Sequence, residues 1–306
     1  MFRAFFILLS ESRALRAVAE RSAIGRRLSS RFVAGMTVGD ALAATAATNV
    51  RGMTVSVDNL GENVTNIDEA HESERLYHEL IDEIVARNLD ANVSLKLTHM
   101  GLDVDEGAAR KITAELVAQA ARLKNFVRID MEGSPYTEKT LEIVRELHRR
   151  PGHAGHVGAV IQSYLRRSRA DVEALCAEGI RIRLCKGAYK EPPEIAFQAK
   201  SEVDDSFVEL MKILLRSGTY HGIATHDPKM IDATIAFARA EKIAPEAFEF
   251  QMLYGIRRDL QEQLIRDGWR MRVYIPFGTE WYPYLMRRLA ERPANAVFIA
   301  RNLFRR

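Results

Sequence analysis

Two adjacent arginines, Arg287 and Arg288, fall in the helix-like stretch Met286-Arg287-Arg288-Leu289-Ala290-Glu291-Arg292. A pair of guanidinium forks matches the geometry of a small carboxylate, so this stretch is either an anion clamp or the solvated basic face of a helix. Lys96 lies inside the apolar run 93–97. A desolvated lysine there could form an imine with a carbonyl substrate, and it could equally be a cation paired to Asp130. His99, His226 and Asp227 raise the question of a metal. The chain has no His-x-His or His-Glu-x-x-His spacing, and no metal is expected. It also lacks a Gly-x-Ser-x-Gly turn for a serine nucleophile and a Gly-x-Gly-x-x-Gly turn for a dinucleotide on an open sheet.

These residues need a scaffold that brings them together. After Asn49, short apolar or alternating runs recur at residues 53–57, 93–97, 126–131, 157–161, 180–185, 222–224, 248–252 and 270–276. Stretches of helical period lie between them, at 68–88, 106–123, 138–149, 169–177, 202–215, 228–240 and 259–267. Strand and helix alternate over about 250 residues, the usual size of a parallel (β/α)₈ barrel. The expected fold class is therefore α/β, a TIM-type (β/α)₈ barrel over 49–306 with an N-terminal helical arm over 1–48. Barrel enzymes build their sites at the carboxyl ends of the strands. Here those ends carry Asp58, Lys96, Asp130, Glu132, Gln162, Arg183, Lys186, Thr225, His226, Gln251 and Tyr274. Any one of them could be a structural ion pair finishing the barrel mouth, but their concentration points to an enzyme.

Composition narrows the class. The chain has 306 residues, 47% hydrophobic and 28% charged, which is globular usage and excludes a disordered or fibrous protein. Forty-four Lys and Arg against 41 Asp and Glu leave a net charge of +3, too balanced to suggest nucleic-acid binding. The 2 cysteines, Cys176 and Cys185, cannot build a disulfide framework, so a reducing cytosol is the default. No apolar run reaches the roughly 18 residues of a membrane span.

The N-terminus carries uneven charge. Arg3, Arg13, Arg16, Arg21, Arg26, Arg27 and Arg31 face only Glu11 and Glu20. The apolar run 4–9 is short and Glu11 follows almost at once, which argues against a signal peptide. Leu15, Val18, Ala19, Ile24, Leu28 and Phe32 fall at helical spacing, so 13–32 reads as one or two amphipathic helices, packed on the body or touching anionic lipid. Thr37-Val38-Gly39-Asp40 then has the form of a capping box opening a helix through Ala47.

Longer motifs carry a resemblance. Ser94-Leu95-Lys96-Leu97-Thr98, Arg128-Ile129-Asp130-Met131-Glu132-Gly133-Ser134 and Gln162-Ser163-Tyr164-Leu165-Arg166-Arg167 occur in this order. They are followed by Arg183-Leu184-Cys185-Lys186-Gly187-Ala188-Tyr189, Ala224-Thr225-His226-Asp227, Glu249-Phe250-Gln251-Met252-Leu253-Tyr254-Gly255 and Tyr282-Pro283-Tyr284-Leu285-Met286-Arg287-Arg288. From about Asn49 onward the chain resembles the monofunctional proline dehydrogenases; before it, only the general character matches.

The resemblance implies a distorted, flavin-binding (β/α)₈ barrel that oxidises L-proline to Δ1-pyrroline-5-carboxylate. Electrons would pass to FAD and then to a membrane quinone. It implies a cytoplasmic protein, peripheral on the inner face of the bacterial membrane. Many bacterial relatives fuse a second dehydrogenase; this chain stops after the barrel, so a separate pyrroline-5-carboxylate/glutamate-semialdehyde dehydrogenase is the expected downstream partner. Arg287, Arg288 and Lys96 would hold the proline carboxylate, and Tyr274 would pack beside the ring. Asp130 would pair with Lys96 and order the site, and Arg183 would sit near the reactive nitrogen of the flavin. Gln162, Lys186, Gly187, Ala188, Thr225 and His226 would contact FAD, with the backbone around Met131. One departure is Phe277, where many relatives have Tyr.

Overall fold

Alternate strand residues send opposite chemistries to opposite faces. Val55 and Val57, Val93 and Leu95, Val127 and Ile129, Ile182 and Leu184, and Phe248, Phe250 and Met252 are buried in one continuous apolar cluster with residues of the helices. The residues between them are Ser56 and Asp58, Asn92 and Ser94, Arg128, Arg181 and Arg183, and Glu249 and Gln251. A parallel sheet covered by helices demands an apolar outer face, so the polar set must line the inside.

The computed structural model describes Ser22, residues 29–187 and residues 189–291, the last five by backbone alone. Its strands are β1 (Thr54–Asn59), β2 (Ala91–Leu95), β3 (Val127–Ile129), β4 (Val157–Gln162), β5 (Arg181–Cys185), β6 (His221–Ala224), β7 (Phe248–Leu253) and β8 (Met271–Phe277). They form a closed barrel in sequence order, and β1 pairs in parallel with β8 to complete it. The helices are α1 (Val38–Asn49), α2 (Ile67–Ala86), α3 (Glu106–Arg122), α4 (Ser134–Arg149), α5 (Ser168–Ala177), α6 (Lys200–Arg216), α7 (Pro228–Ala240), α8 (Arg258–Arg266) and α9 (Trp281–Glu291). The expected (β/α)₈ architecture is present, with boundaries displaced by a few residues. The third strand is shorter than the expected 126–131. Beyond Ile129 the chain makes one more bond to β2, from Asp130 N–H to Leu95 O at 2.8 Å, and then turns into α4.

The capping box expected at Thr37 is formed: Asp40 N–H donates to Thr37 Oγ1 at 3.1 Å, and Thr37 N–H donates to Asp40 Oδ2 at 3.0 Å. It starts α1, whose Ala41 and Leu42 join the main core. Of the amphipathic stretch expected over 13–32, Ser22 and residues 29–32 are described; the rest, like the run 4–9, lies outside the described residues. Phe32 and Val33 pack with Leu60, Trp281, Tyr282, Tyr284 and Leu285, so the segment before α1 is joined to α9. Ala34 N–H donates to Pro276 O at 2.9 Å and Gly278 N–H to Gly35 O at 3.0 Å, tying the segment to the end of β8. Phe277 is fully buried in the apolar layer, where a phenyl ring needs no polar partner.

Candidate active site

The barrel interior is a polar network in place of the usual layers of branched apolar side chains. Arg183 on β5 is its hub. Its Nη1 donates to Asp130 Oδ1 at 2.8 Å and to Ser94 Oγ at 3.2 Å. Its Nε donates to Gln251 Oε1 at 2.5 Å and its Nη2 to Ser56 Oγ at 3.2 Å. One guanidinium reaches residues of β1, β2 and β7 and the turn after β3, which is possible only from inside a closed barrel. Glycines make the room: a Cβ at Gly222 would lie 2.2 Å from Gln251 Nε2, and one at Gly158 would lie 2.8 Å from Arg128 Nη1.

Below this hub lies a second ion pair. Arg272 Nε donates to Glu249 Oε1 at 2.6 Å, and its Nη1 donates to Asn92 Oδ1 at 2.8 Å. Gln251 Nε2 donates to the same Glu249 oxygen at 2.6 Å, which joins the two layers. Burial pushes the Glu249 carboxyl up, and the Arg272 charge with three hydrogen bonds outweighs it, so its pKa is lowered.

Above the hub, Asp130 accepts from Arg183 on one oxygen and from Tyr274 Oη, at 2.8 Å, on the other. The Arg183 guanidinium lies 5.0 Å from the centre of the Tyr274 ring, within cation–π range. Burial raises the Tyr274 pKa well above its ordinary value, and the Asp130 and Asp58 charges raise it further, so the phenol stays protonated and donates.

The expected Lys96–Asp130 pair is corrected. Lys96 Nζ pairs with Asp58, at 3.3 Å, while Asp130 pairs with Arg183, at 2.8 Å. The cause is register: Asp58 lies beside Ser94 across β1 and β2, so the next inward residue of the second strand, Lys96, meets β1. Asp130 is drawn the other way, to the buried guanidinium. Burial alone would lower the Lys96 pKa, but the fields of Asp58, Asp130, Glu62 and Tyr189 outweigh it and raise it, so the amine is a fixed cation. Burial raises Asp58 to about 6, with Lys96 opposing and Asp130 reinforcing the shift. An imine-forming lysine needs a free neutral amine, which this setting disfavours.

A second group lies around the ends of β4, β5 and β6. Lys186 Nζ donates to Asp204 at 2.5 Å and to Asp227 at 2.7 Å. Thr225 Oγ1 accepts the Asp227 N–H at 3.1 Å, which leaves its own O–H as a donor. His226 Nε2 accepts the Leu253 N–H at 2.9 Å, which places the proton of the neutral ring on Nδ1. Gln162 Nε2 donates to Glu132 O at 3.0 Å, and the Glu132 carboxylate is held by Thr98 N–H and Oγ1. Met131 is buried in the main apolar cluster, and Gly187 is exposed with φ at +121°. Ala188 lies outside the described residues. The backbone of α9 carries Arg287 and Arg288, and their side chains also lie outside the described residues.

The strand-end pattern puts Lys96, Asp130, Arg183 and Tyr274 at one mouth; the structure joins Asp130, Arg183 and Tyr274 by hydrogen bonds and pairs Lys96 with Asp58. It gave no role to Ser56, Asn92, Glu249 or Arg272. A signal for them existed: polar residues two apart within apolar strands, as in Asn92 and Ser94 or Glu249 and Gln251, mark an inward polar face.

Comparison with known proteins gives a consistent result. The family model described as proline dehydrogenase matches residues 41–301. Proline dehydrogenase 2 of Bacillus subtilis is 39% identical over 301 residues, covering 97% of this chain and 96% of the relative. Proline dehydrogenase of Deinococcus radiodurans is 40% identical over 285 residues, covering 91% and 90%. Among solved structures, proline utilization A from Bdellovibrio bacteriovorus inactivated by N-propargylglycine superposes with a TM-score of 0.85 at 26% identity, covering all of this chain and 37% of that one.

Proposed function

The chain belongs to the proline dehydrogenase family, and from that premise we propose that it uses FAD to oxidise L-proline to Δ1-pyrroline-5-carboxylate, the first step of proline degradation, and passes the electrons to a membrane quinone. The observation that carries this reading is the buried Arg183–Asp130–Tyr274 network at the mouth of a barrel whose family acts on proline.

The donor set at the mouth fits the cofactor. FAD is rich in acceptors and carries an anionic diphosphate. Gln162 ends β4, Lys186 directly follows β5, Thr225 and His226 directly follow β6, and Arg183 reaches into the barrel from β5. These residues, with the backbone at Met131, Gly187 and Ala188, would hold it. When bound, the flavin supplies the two-electron acceptor.

The protein's own part is position and charge. Arg287 and Arg288 on α9 clamp the substrate carboxylate, and Lys96, kept cationic by its acidic neighbours, adds to the same field. Tyr274 packs beside the ring, its hydroxyl directed away to Asp130. Asp130 fixes the guanidinium of Arg183, whose charge favours negative charge arriving nearby. The ring nitrogen of proline must be neutral when hydride leaves, so turnover rises as the substrate ammonium deprotonates.

The quinone reading adds a membrane. Among the described residues no helix is long and apolar enough to cross one. The arginines of the N-terminal 31 residues give each side chain that faces an anionic surface about 1 kcal/mol. The reading is a reversible, peripheral attachment on the cytoplasmic side, weakened by salt.

The test is a visible spectrum of the purified chain, followed by L-proline under anaerobic conditions. A yellow protein bleached by proline is the expected result. A chain that stays inactive after reconstitution with FAD would overturn it. Vesicle flotation with and without anionic lipid tests the attachment, and a chain that never floats sinks that part alone.

A further inference from the structure

On the outer ring of helices, away from the barrel interior, α2 and α3 face each other with a second set of chemically matched residues. Glu74 and His78 lie one turn apart on α2, and Glu115 and Gln119 lie one turn apart on α3. One ligand atom from each of Glu74, His78 and Glu115 lies within 4.8 Å of the other two.

The hydrogen bonds around this trio fix which atoms face inward. Gln119 Nε2 donates to Asp82 Oδ1 at 2.7 Å and to His78 O at 3.2 Å, so its amide orientation is determined and its Oε1 is an acceptor. His78 Nδ1 lies 2.5 Å from that oxygen and must donate to it. The neutral imidazole then carries a lone pair on Nε2, which faces Glu74 Oε1 at 3.9 Å, too far for a hydrogen bond. The other Glu74 oxygen is held by His71 Nδ1 at 2.8 Å. Glu74 is buried, and among the described residues no Lys or Arg forms an ion pair with it. A lone pair and two carboxylates thus converge, and the one Lys or Arg paired with them among the described residues is Lys111, 3.9 Å from Glu115 on the same helix. Both inner ligands are oriented by an outer partner, an amide for the histidine and an imidazole for the carboxylate, as in protein metal centres.

We propose that Glu74, His78 and Glu115 form a divalent transition-metal site, of zinc type, that bridges α2 and α3. One nitrogen and two carboxylate oxygens suit zinc or its neighbours better than calcium or magnesium, which take all-oxygen sets. Three protein ligands leave a fourth position for water. Glu115 is half exposed, and its 3.9 Å ion pair with Lys111 on the same solvent-facing helix is one that a bound ion would displace. The bound ion ties the first two βα units of the barrel together, and it stabilises the folded chain because the unfolded chain lacks the site.

The experiment uses the flavin-loaded chain, stripped with a chelator and titrated with zinc sulfate. Calorimetry, zinc content after desalting and the thermal midpoint are followed. The expected result is one tightly held zinc per chain and a raised midpoint, with magnesium and calcium giving neither. Glu115→Gln, on an exposed helix face, and His78→Ala should each weaken binding at least about ten-fold, and Gln119→Leu about ten- to a hundred-fold. Circular dichroism on each variant checks that the helices remain. A wild-type chain that retains no zinc, equal binding of magnesium, or folded variants that bind as well as wild type would each overturn the site. None of these readouts depends on proline oxidation, so the outcome is independent of the proposed activity.

Discussion

Arg183 and Asp130 meet at 2.8 Å inside the barrel although the whole of β4 stands between their strands. Both side chains are largely buried, at 7% and 13% exposure, so each charge depends on the other. Removing one partner of a buried pair leaves an uncompensated charge and typically costs about 3–5 kcal/mol. Asp130→Ala should therefore lower stability by that order, and it should loosen the flavin as Arg183 turns to find another partner. Asp130→Asn keeps the acceptor toward Arg183 and should retain more of both. Denaturant melts and flavin retention on gel filtration check this; an Ala variant as stable as wild type would show that the pair carries little.

The two arginines of α9 are proposed to grip the carboxylate. Replacing Arg287 or Arg288 by Met should raise KM for proline strongly, since losing a charged partner of a desolvated group costs about 2–5 kcal/mol. Pyrrolidine lacks the carboxylate, and its kinetics should change far less. Unchanged proline kinetics would identify the pair as a solvated helix face.

Lys96 is proposed to act by charge. Asp58 and Asp130 hold it protonated against the pull of burial. Borohydride reduction during turnover should leave no adduct on this residue, read by mass spectrometry of the digested chain. A covalent substrate-derived mass on Lys96 would make it a nucleophile instead.

His221 predicts the acid side of the stability curve. It is the first residue of β6 and fully buried; its Nδ1 accepts the Ile182 N–H at 3.0 Å and its Nε2 lies 2.8 Å from Ser217 Oγ. Burial, then the Arg128 charge, lower its pKa from 6.5 to about 3. The unfolded chain takes up this proton below about pH 6.5 while the folded chain refuses it. Stability should thus be complete above that pH and fall as pH drops toward 3, by about 1.4 kcal/mol per pH unit from this residue. His99, lowered to about 4, should add a similar slope over a shorter window. His221→Gln should flatten the curve between pH 6 and 4, within the range from 6.5 to about 3 over which this residue contributes. A slope unchanged by that variant would remove His221 as its source.

Gly255 joins the N-terminal segment to the barrel. Its φ is +73°, and a Cβ there would lie 1.7 Å from the backbone oxygen of Arg31. Gly255→Ala should displace residues 29–35 from the end of β8 and destabilise by more than the roughly 1 kcal/mol of a strained left-handed residue alone. Faster proteolysis near Arg31 and a lower thermal midpoint are the readouts, and a variant that matches wild type in both would show that the contact is dispensable.

The sequence by itself determined the barrel. Eight apolar runs with polar ends, most of them followed by a helical stretch, leave few other ways to bury both faces of a parallel sheet. It also determined that Lys96, Asp130, Arg183 and Tyr274 would share one mouth, because every such strand end points the same way. What the sequence left open was which charge meets which. The choice of Asp58 over Asp130 as partner of Lys96 follows from the stagger between β1 and β2, a property of the closed sheet. The inner layer of Ser56, Asn92, Glu249 and Arg272 is visible as alternation within single strands, but its pairing across the barrel is not. The meeting of Glu74 and His78 with Glu115 likewise depends on two helices packed side by side. Local periodicity fixes which face a residue takes; only the closure of the barrel decides what stands opposite it.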